Sequence, residues 1–270
     1  MINSKSIIRT VFFAVSFFSF ATYSQSNDFP DFREYQKVGL FISPVLYSKA
    51  KVTRDYGDYI LNNKKTANIN FGFDYLIRPE HKWAFKTGLH LDMVPMYNFS
   101  ATIKEGDLWP EYNNFEIAAI DRYKFNFTIP LLVQIKKQMG YNLYFNLETG
   151  FNMMLMQKGG YSYSAAFSNE DMSETREVFA MYADTNGPLI VYPNLVVSPG
   201  FYFALSGVLL QTNVIYQKPL IGFFEGEYQF GNLLQSGNTR GDYKMSGEYI
   251  GLQFTVHLKK KHRRTTNDDE

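Results

Sequence analysis

The chain has 270 residues with 25 Phe and 20 Tyr, and charged residues make up 20% of it. That much charge excludes a helical membrane protein, and an aromatic share of 17% is unusual for a soluble enzyme. Cysteine is absent, which excludes a disulfide framework, a thiol nucleophile, a cysteine zinc site and lipoprotein acylation. With 27 basic and 26 acidic residues, the chain offers no electrostatic basis for binding nucleic acid.

The first 24 residues have the pattern of an export signal. Lys5 and Arg9 form a basic start, 11–21 is an apolar core, and 22–24 is a small-residue approach to cleavage before Gln25. The alternative is a membrane anchor helix, but the apolar core is shorter than the roughly 20 residues that a span needs. We therefore expect a cleaved signal peptide at 1–24, followed by a polar periplasmic lead-in at 25–34.

Eight segments alternate between apolar and polar residues with a period of two, which predicts β-strands with one apolar face. The hairpin from Arg122 to Gln157 shows the alternation most clearly. The segments are 36–47, 68–78, 82–93, 122–136, 142–155, 190–204, 210–217 and 250–258. Eight is an even number, so both ends of the folded chain should lie on the same side.

The connections between these segments alternate strictly in length. Tight turns follow the second, fourth and sixth segments, and stretches of roughly 18 to 32 residues follow the first, third, fifth and seventh, as at the two ends of a transmembrane barrel. Helix-free connections of that length are uncommon in compact soluble domains. A short surface helix at 173–182 is an alternative within the third long connection.

The first tight turn predicts a cross-strand pair. If Arg78 and Lys82 close this turn, then Asp74 lies directly opposite Lys86. Opposite charges at facing positions would favour this register.

Periodicity alone does not say whether the apolar face meets lipid or a core, and a lipocalin-like soluble barrel is the alternative. Two observations favour lipid. The polar face is dominated by Asn, Gln, Ser, Thr and Gly, which suits a narrow lumen better than a solvent face. Aromatic residues of the apolar face cluster near strand ends, as in interfacial girdles; they include Tyr75, Trp83, Phe85, Tyr123, Phe125, Phe145, Phe201, Phe203 and Tyr216.

The last segment resembles the C-terminal signal that outer-membrane assembly machinery recognises. Gly251, Phe254 and Val256 supply the glycine and the alternating hydrophobic residues. The sequence thus predicts an all-β fold, an eight-stranded antiparallel up-and-down transmembrane β-barrel at 35–258. Short turns would lie in the periplasm and long loops outside the cell, with a periplasmic tail of basic and acidic residues at 259–270.

The strand that contains Ile129, Pro130, Leu131 and Leu132 resembles one in a known family. Together with the strand centred on Gly150, it is similar to the outer membrane β-barrel domain of Bacteroidetes often called the PorT family. The resemblance implies an export signal cut before Gln and eight strands with long outer loops. It also implies a barrel without assigned activity, with one branch of the family linked to secretion of surface proteases.

An eight-stranded barrel is only wide enough for its own side chains, so we expect a packed lumen rather than a broad pore. Its polar network is predicted to be structural. The members are Asp74, Lys86, His90, Asp92, Lys124, Lys136 and Glu148. We predict no catalytic residue, no metal and no cofactor.

Two alternatives to a structural role stay open. A lipid-modifying enzyme at the outer rim would need a nucleophile, a histidine and a carboxylate close together. His90 and Asp92 share one face and form a candidate dyad, although the sequence places no rim serine beside them. A narrow channel for small solutes is the second alternative.

The outer loops carry an excess of acid, notably Glu105, Asp107, Glu111 and Glu116. Such loops either bind divalent cations, lipopolysaccharide or a protein, or simply stay solvated. The basic run at 259–264 should anchor the periplasmic end at lipid headgroups. The expected partners are outer-membrane lipid, the assembly machinery and a surface or secretion protein. We expect a monomer in the outer membrane, with a role in surface contact, envelope integrity or secretion.

Overall fold

A computed structural model describes residues 29–109, 115–169, 171–185 and 191–260, without the side chains of Pro30 and 120–122. The predicted signal peptide and residues 261–270 of the predicted tail lie outside this range. The strands are β1 Tyr35–Tyr47, β2 Lys51–Tyr56, β3 Asn62–Asn63, β4 Thr66–Ile77, β5 Trp83–Ile103, β6 Phe115–Gln138, β7 Leu143–Leu155, β8 Gly160–Ser168, β9 Thr175–Thr185, β10 Val191–Ala204, β11 Val208–Pro219, β12 Phe224–Phe230, β13 Thr239–Met245 and β14 Tyr249–Lys259. A short 3-10 helix at Pro30–Glu34 precedes β1.

Eight strands close into an antiparallel barrel. They pair in the order β5-β4-β1-β14-β11-β10-β7-β6, and β6 pairs back to β5. The predicted fold class of a closed eight-stranded barrel is confirmed, and each predicted segment lies within or close to one barrel strand. Three tight connections, β4 to β5, β6 to β7 and β10 to β11, define the turn end of the barrel, and the other end is called the loop end.

The barrel wall has the polarity that the alternation predicts, with apolar side chains outside and polar side chains inside. On β1, for example, Leu40 and Ile42 are exposed while Ser43 is buried. Glycine makes room for bulky lumen groups: a Cβ on Gly39 would lie 2.5 Å from the ring of His257. Within the described residues, no helix is long and apolar enough to cross a membrane.

The predicted register of the first hairpin is wrong by two residues. The strands close at Ile77 and Phe85, so Asp74 lies opposite Gly88 rather than opposite Lys86. The turn is wider than predicted, and Arg78 within it takes a left-handed conformation, with φ 54°. A slip of two residues keeps every side chain on its predicted face, which explains why the pattern could not reveal the difference.

The long connections are not simple polar loops. β5 and β6 continue beyond the barrel as a paired hairpin, and β3 pairs with β5 there. A second sheet, in the order β2-β13-β12-β9-β8, is built from the other three connections. The helix considered at 173–182 is wrong, because β9 alternates instead: Phe179, Met181 and Ala183 are buried while Tyr182 is exposed.

These outer elements form a folded unit, which we call the cap: β2, β3, β8, β9, β12, β13 and the extensions of β5 and β6. Its core is aromatic. The ring centroid of Phe179 lies 5.6 Å from that of Phe99 and 4.9 Å from that of Phe230, and Tyr59 stacks on Phe230 at 5.0 Å. The cap therefore has a core of its own at the loop end.

Candidate functional site

A buried ion cluster lies in the middle of the lumen. Lys86 Nζ is 2.5 Å from Glu148 Oε2 and 3.4 Å from Asp74 Oδ2. His90 Nε2 is 2.8 Å from Asp74 Oδ1. The side chains of Lys86, Asp74 and Glu148 are fully buried, so each charge depends on its neighbours for compensation.

Amide and hydroxyl groups complete the bonding of the two carboxylates. Gln134 donates to Glu148 Oε1 at 2.6 Å, and Gln211 donates to the same oxygen. Gln253 donates to Asp74 Oδ2 at 3.0 Å. These groups come from β4, β5, β6, β7, β11 and β14, so the cluster reaches across the barrel and joins six of its eight strands.

The lumen at the turn end is closed by aromatic rings from the segment before β1. Phe32 packs edge-on against Tyr144 at 5.0 Å and Tyr202 at 5.1 Å, and Phe29 packs against Tyr144 at 5.4 Å. Lys136 lies 4.3 Å from the Phe32 ring centroid. We call Phe29, Phe32, Tyr144 and Tyr202 the aromatic plug.

The plug was not predicted from the sequence, where 25–34 was expected to be a polar lead-in. Phe29 donates its backbone N–H to Glu80 at 2.6 Å, which ties the plug to the first turn. The only signal was two phenylalanines in a polar stretch. Lys259, at the start of the predicted tail, pairs with Glu34 at 2.8 Å.

Between the ion cluster and the cap lies a second polar layer. Asp92 accepts a hydrogen bond from Thr128 at 2.6 Å, and Asn152 donates to Gln217 at 2.7 Å. Within the described residues, neither amide atom of Asn194 has a hydrogen-bond partner. This layer therefore keeps hydrogen-bonding capacity to spare, as do the side-chain carbonyl oxygens of Gln134 and Gln211 in the ion cluster.

The residues that the sequence grouped into one network lie in different places. Lys136 is at the plug, where it donates to the carbonyl of Pro79. Lys124 is at the loop end, where it donates to the carbonyl of Gln157 and lies 5.2 Å from the Tyr161 ring centroid.

The candidate dyad of His90 and Asp92 was considered as a catalytic pair at the outer rim, but the two side chains bond to different partners. His90 is bonded to Asp74 and packs 4.3 Å from the Phe41 ring, while Asp92 bonds to Thr128. Both side chains are buried in the lumen rather than exposed at the rim. Among the described residues, no group of three or more His, Asp or Glu side chains is arranged to hold a metal ion.

The motif residues lie on the barrel wall. In β14, Phe254 and Val256 are exposed on the outside, and Gly251 packs close to the backbone of β1 at Pro44. The strand resembling the PorT family is the middle of β6. Its apolar side chains alternate: Ile129 and Leu131 face outward, and Pro130 and Leu132 face inward.

Asp107 fastens the cap. Its carboxylate accepts hydrogen bonds from Gln235 N at 2.9 Å, from Ser236 N at 2.7 Å and from the Ser236 hydroxyl at 2.6 Å. The hydroxyl of Tyr59 donates to it as well. Three outer connections thus meet at one carboxylate. Burial raises its pKa, but the hydrogen bonds from Ser236 and Tyr59 outweigh burial and hold the pKa below the ordinary value of 3.8.

The predicted acidic loops therefore have more than one role. Asp107 is buried and bonded, whereas Glu105 and Glu116 are exposed. Glu111 lies outside the described residues. The acid excess is thus not a single cluster in the structure.

The fold and the lumen define a closed, eight-stranded β-barrel with a side-chain-filled interior and a folded cap. The sequence matches no family model, and no curated protein matches it. Among solved structures, the crystal structure of the outer membrane protein OprG from Pseudomonas aeruginosa is similar. The identity is 11% and the TM-score 0.39, with 84% of this chain and 98% of that chain covered. A likeness at this level says nothing about activity, and the fold assignment rests on the strand pairing of the chain itself.

Replacing Lys86 by methionine should strongly destabilise the barrel. The change removes the cation and leaves Glu148 and Asp74 buried without it, which costs about 3–5 kcal/mol. Lys124→Met is the matched control, because Lys124 lies outside the cluster, and it should cost less than about 1 kcal/mol. Urea unfolding of protein folded in detergent micelles measures both. Adding Glu148→Gln to Lys86→Met should recover part of the loss, and equal stability of the two lysine variants would contradict the role of the cluster.

Replacing Asp107 by asparagine should loosen the cap at neutral pH. Asparagine keeps one acceptor oxygen but turns an NH2 group toward the donors, which costs about 1–3 kcal/mol. Hydrogen exchange at the amides of Gln235 and Ser236 reports the opening free energy, and Asp58→Asn, at an exposed carboxylate, is the control.

The effect of Asp107→Asn should depend on pH. Because the folded-state pKa of Asp107 is lowered, its contribution is fully present above the ordinary value of 3.8 and is lost as the pH falls through the folded-state pKa. The wild type and the variant should therefore converge in strongly acidic solution. A difference that does not change between pH 7 and the acid range would show that the carboxylate charge is not what fastens the cap.

Proposed function

We propose that the protein is an outer-membrane β-barrel with a closed lumen, which holds its cap at the cell surface for a structural or interaction role. The observation that carries the proposal is the inverted polarity of the barrel wall. Leu40 is 70% exposed and Phe125 60% exposed, whereas Asp74 and Lys86 are buried. Soluble monomers rarely expose continuous apolar surface beyond a few hundred Å², and a closed barrel leaves no strand edge unpaired in lipid.

The apolar residues form one belt around the barrel. We define it by the large exposed apolar side chains of the barrel strands. They include Leu40, Ile42, Phe71, Phe73, Phe85, Phe127, Leu131, Phe151, Val197, Phe201, Val214, Leu252, Phe254 and Val256. Members of the belt come from every barrel strand, as a lipid environment requires. The turn end then faces the periplasm and the cap faces outward.

Three barriers in series support a closed lumen. The aromatic plug fills the turn end, the ion cluster around Lys86 spans the middle, and the aromatic core of the cap covers the loop end. A diffusion pore needs a continuous water path, and three such barriers argue against a path wide enough for solutes. The protein would then act through its surface rather than through transport.

The cap is the element that such a barrel would present to the outside. The roles that fit it are contact with a surface partner, maintenance of the envelope, or an accessory part in protein secretion. The resemblance of 129–132 to the PorT family supports the last of these. We propose no catalytic role for His90, since it is enclosed between Asp74 and Phe41.

An arginine in the belt should impair folding into bilayers. Leu40→Arg places a charge on the lipid face and should cost about 2–4 kcal/mol near the bilayer centre. Ile60→Arg is the control, because Ile60 is 48% exposed but lies on the cap, away from the belt. Urea-dependent folding into phosphatidylcholine vesicles measures both variants. In a protein whose belt faced water, Leu40→Arg would be neutral or would improve solubility, and that outcome would refute the membrane assignment.

The closed lumen can be tested by conductance. Full-length mature protein in planar bilayers should show no large steady conductance and should not pass small sugars in a liposome-swelling assay, in contrast to an open porin measured alongside. Insertion is verified independently by the shift in gel mobility on heating. A large, stable conductance from inserted protein would contradict the closed lumen and would favour the channel alternative.

A further inference from the structure

A basic groove of about 750 Å³ opens at the loop end, between the free edge of β2 and the pair formed by β3 and β5. Lys49, Lys51 and Lys64 line it, together with Ser100, Thr102 and one carboxylate, Glu116. All three lysines are exposed. Among the described residues, no carboxylate lies within salt-bridge distance of any of them, so their charge is available to a ligand.

An apolar groove of about 570 Å³ lies on the barrel wall along β1, β4 and β14. The small outward side chains of Pro44 and Ala67 lie between the larger side chains of Leu46, Ile69 and Ile250. This groove is part of the belt, so under the proposed function it faces the acyl chains of the membrane.

The two grooves are consecutive along the chain, where β1 ends and β4 begins. Leu46 lines the apolar groove, and Lys49 lines the basic groove three residues further on. Beside β4, Lys64 and Ala67 are likewise three residues apart, and Thr66 pairs with Tyr47 between them. Three residues of extended chain reach at most roughly 10 Å, about the distance from the upper acyl chain to the headgroup of a lipid.

We propose that the grooves together form a binding site for a lipid with a phosphate headgroup. The phosphate lies among Lys49, Lys51 and Lys64, and one acyl chain lies over Pro44 and Ala67. The proposal rests on the proposed function, because it needs the belt to face a membrane. The three lysines favour a ligand with an anionic phosphate group, since exposed lysines at the membrane surface attract anionic headgroups. The adjoining apolar groove favours a lipid over a soluble anion, because only a lipid has an acyl chain to fill it.

Native mass spectrometry of the full-length mature protein tests the site, with phosphatidic acid and phosphatidylcholine of the same acyl chains as probes. The wild type should retain phosphatidic acid in preference. Changing Lys49, Lys51 and Lys64 together to glutamine should weaken that binding by about tenfold or more. The matched control changes Lys137, Lys158 and Lys218 to glutamine, which removes the same charge elsewhere on the protein and should change binding by less than about twofold.

A second variant tests the apolar groove without altering charge. Ala67→Trp fills the groove from the outside and should weaken phosphatidic acid binding by about fivefold or more. Val197→Trp, on the belt at β10 and away from the groove, is its control. A water-soluble glycerol phosphate should fail to compete at concentrations where phosphatidic acid saturates. Equal competition by glycerol phosphate, or equal losses in the lysine variant and its control, would overturn the proposed site.

The outcomes separate this inference from the function on which it rests. Protein that inserts and shifts in gel mobility on heating, but binds both lipids equally, refutes the lipid site and leaves the barrel assignment intact. Protein that does not insert into vesicles refutes both. Preference for phosphatidic acid that is lost only in the groove variants supports both.

Discussion

The barrel depends on how Lys86, Glu148 and Asp74 share charge in the lumen. A barrel of eight strands has too little room for bulk water, so its polar face must satisfy itself. The ammonium of Lys86 lies between the two carboxylates, His90 bonds to Asp74, and glutamine side chains donate to both carboxylates, so the buried charges are compensated. Because the groups come from six strands, the cluster also favours one strand register over others, a specificity role that buried ions can serve.

Closure at the two ends follows from the same constraint but uses different chemistry. The aromatic plug brings apolar rings into a polar lumen and places Lys136 over Phe32, where a cation can interact with the face of the ring. At the loop end, the cap uses an aromatic core and one carboxylate, Asp107, to join three connections. Each end is therefore closed by residues that are separate in sequence, and each closure needs the barrel to bring them together.

The sequence predicted the barrel well because its signal is local. Alternation along β6, from Tyr123 to Ile135, is visible without knowing any partner strand, and so is the alternation in the other seven. Contacts between strands were predicted less well. The widened turn at Arg78 moved the register by two residues without changing a face. The acidic, glycine-containing segments of the cap were predicted as loops, because strands such as β9 alternate over only a few residues. Their core also depends on contacts between residues far apart in sequence, such as Phe99, Phe179 and Phe230. The plug was missed because two phenylalanines form no periodic pattern.

Continuity of β5 and β6 decides how the cap relates to the barrel. Both strands run from the belt into the cap without a break, and Tyr243 of the second sheet donates a hydrogen bond to the carbonyl of Met96 on β5 at 3.1 Å. The cap is thus held by two continuous strands and by its own packing, rather than by flexible tethers. A surface fixed in this way loses little conformational entropy when a partner binds. A cap built from ordered strands on a barrel with a packed lumen therefore fits the contact role proposed for it.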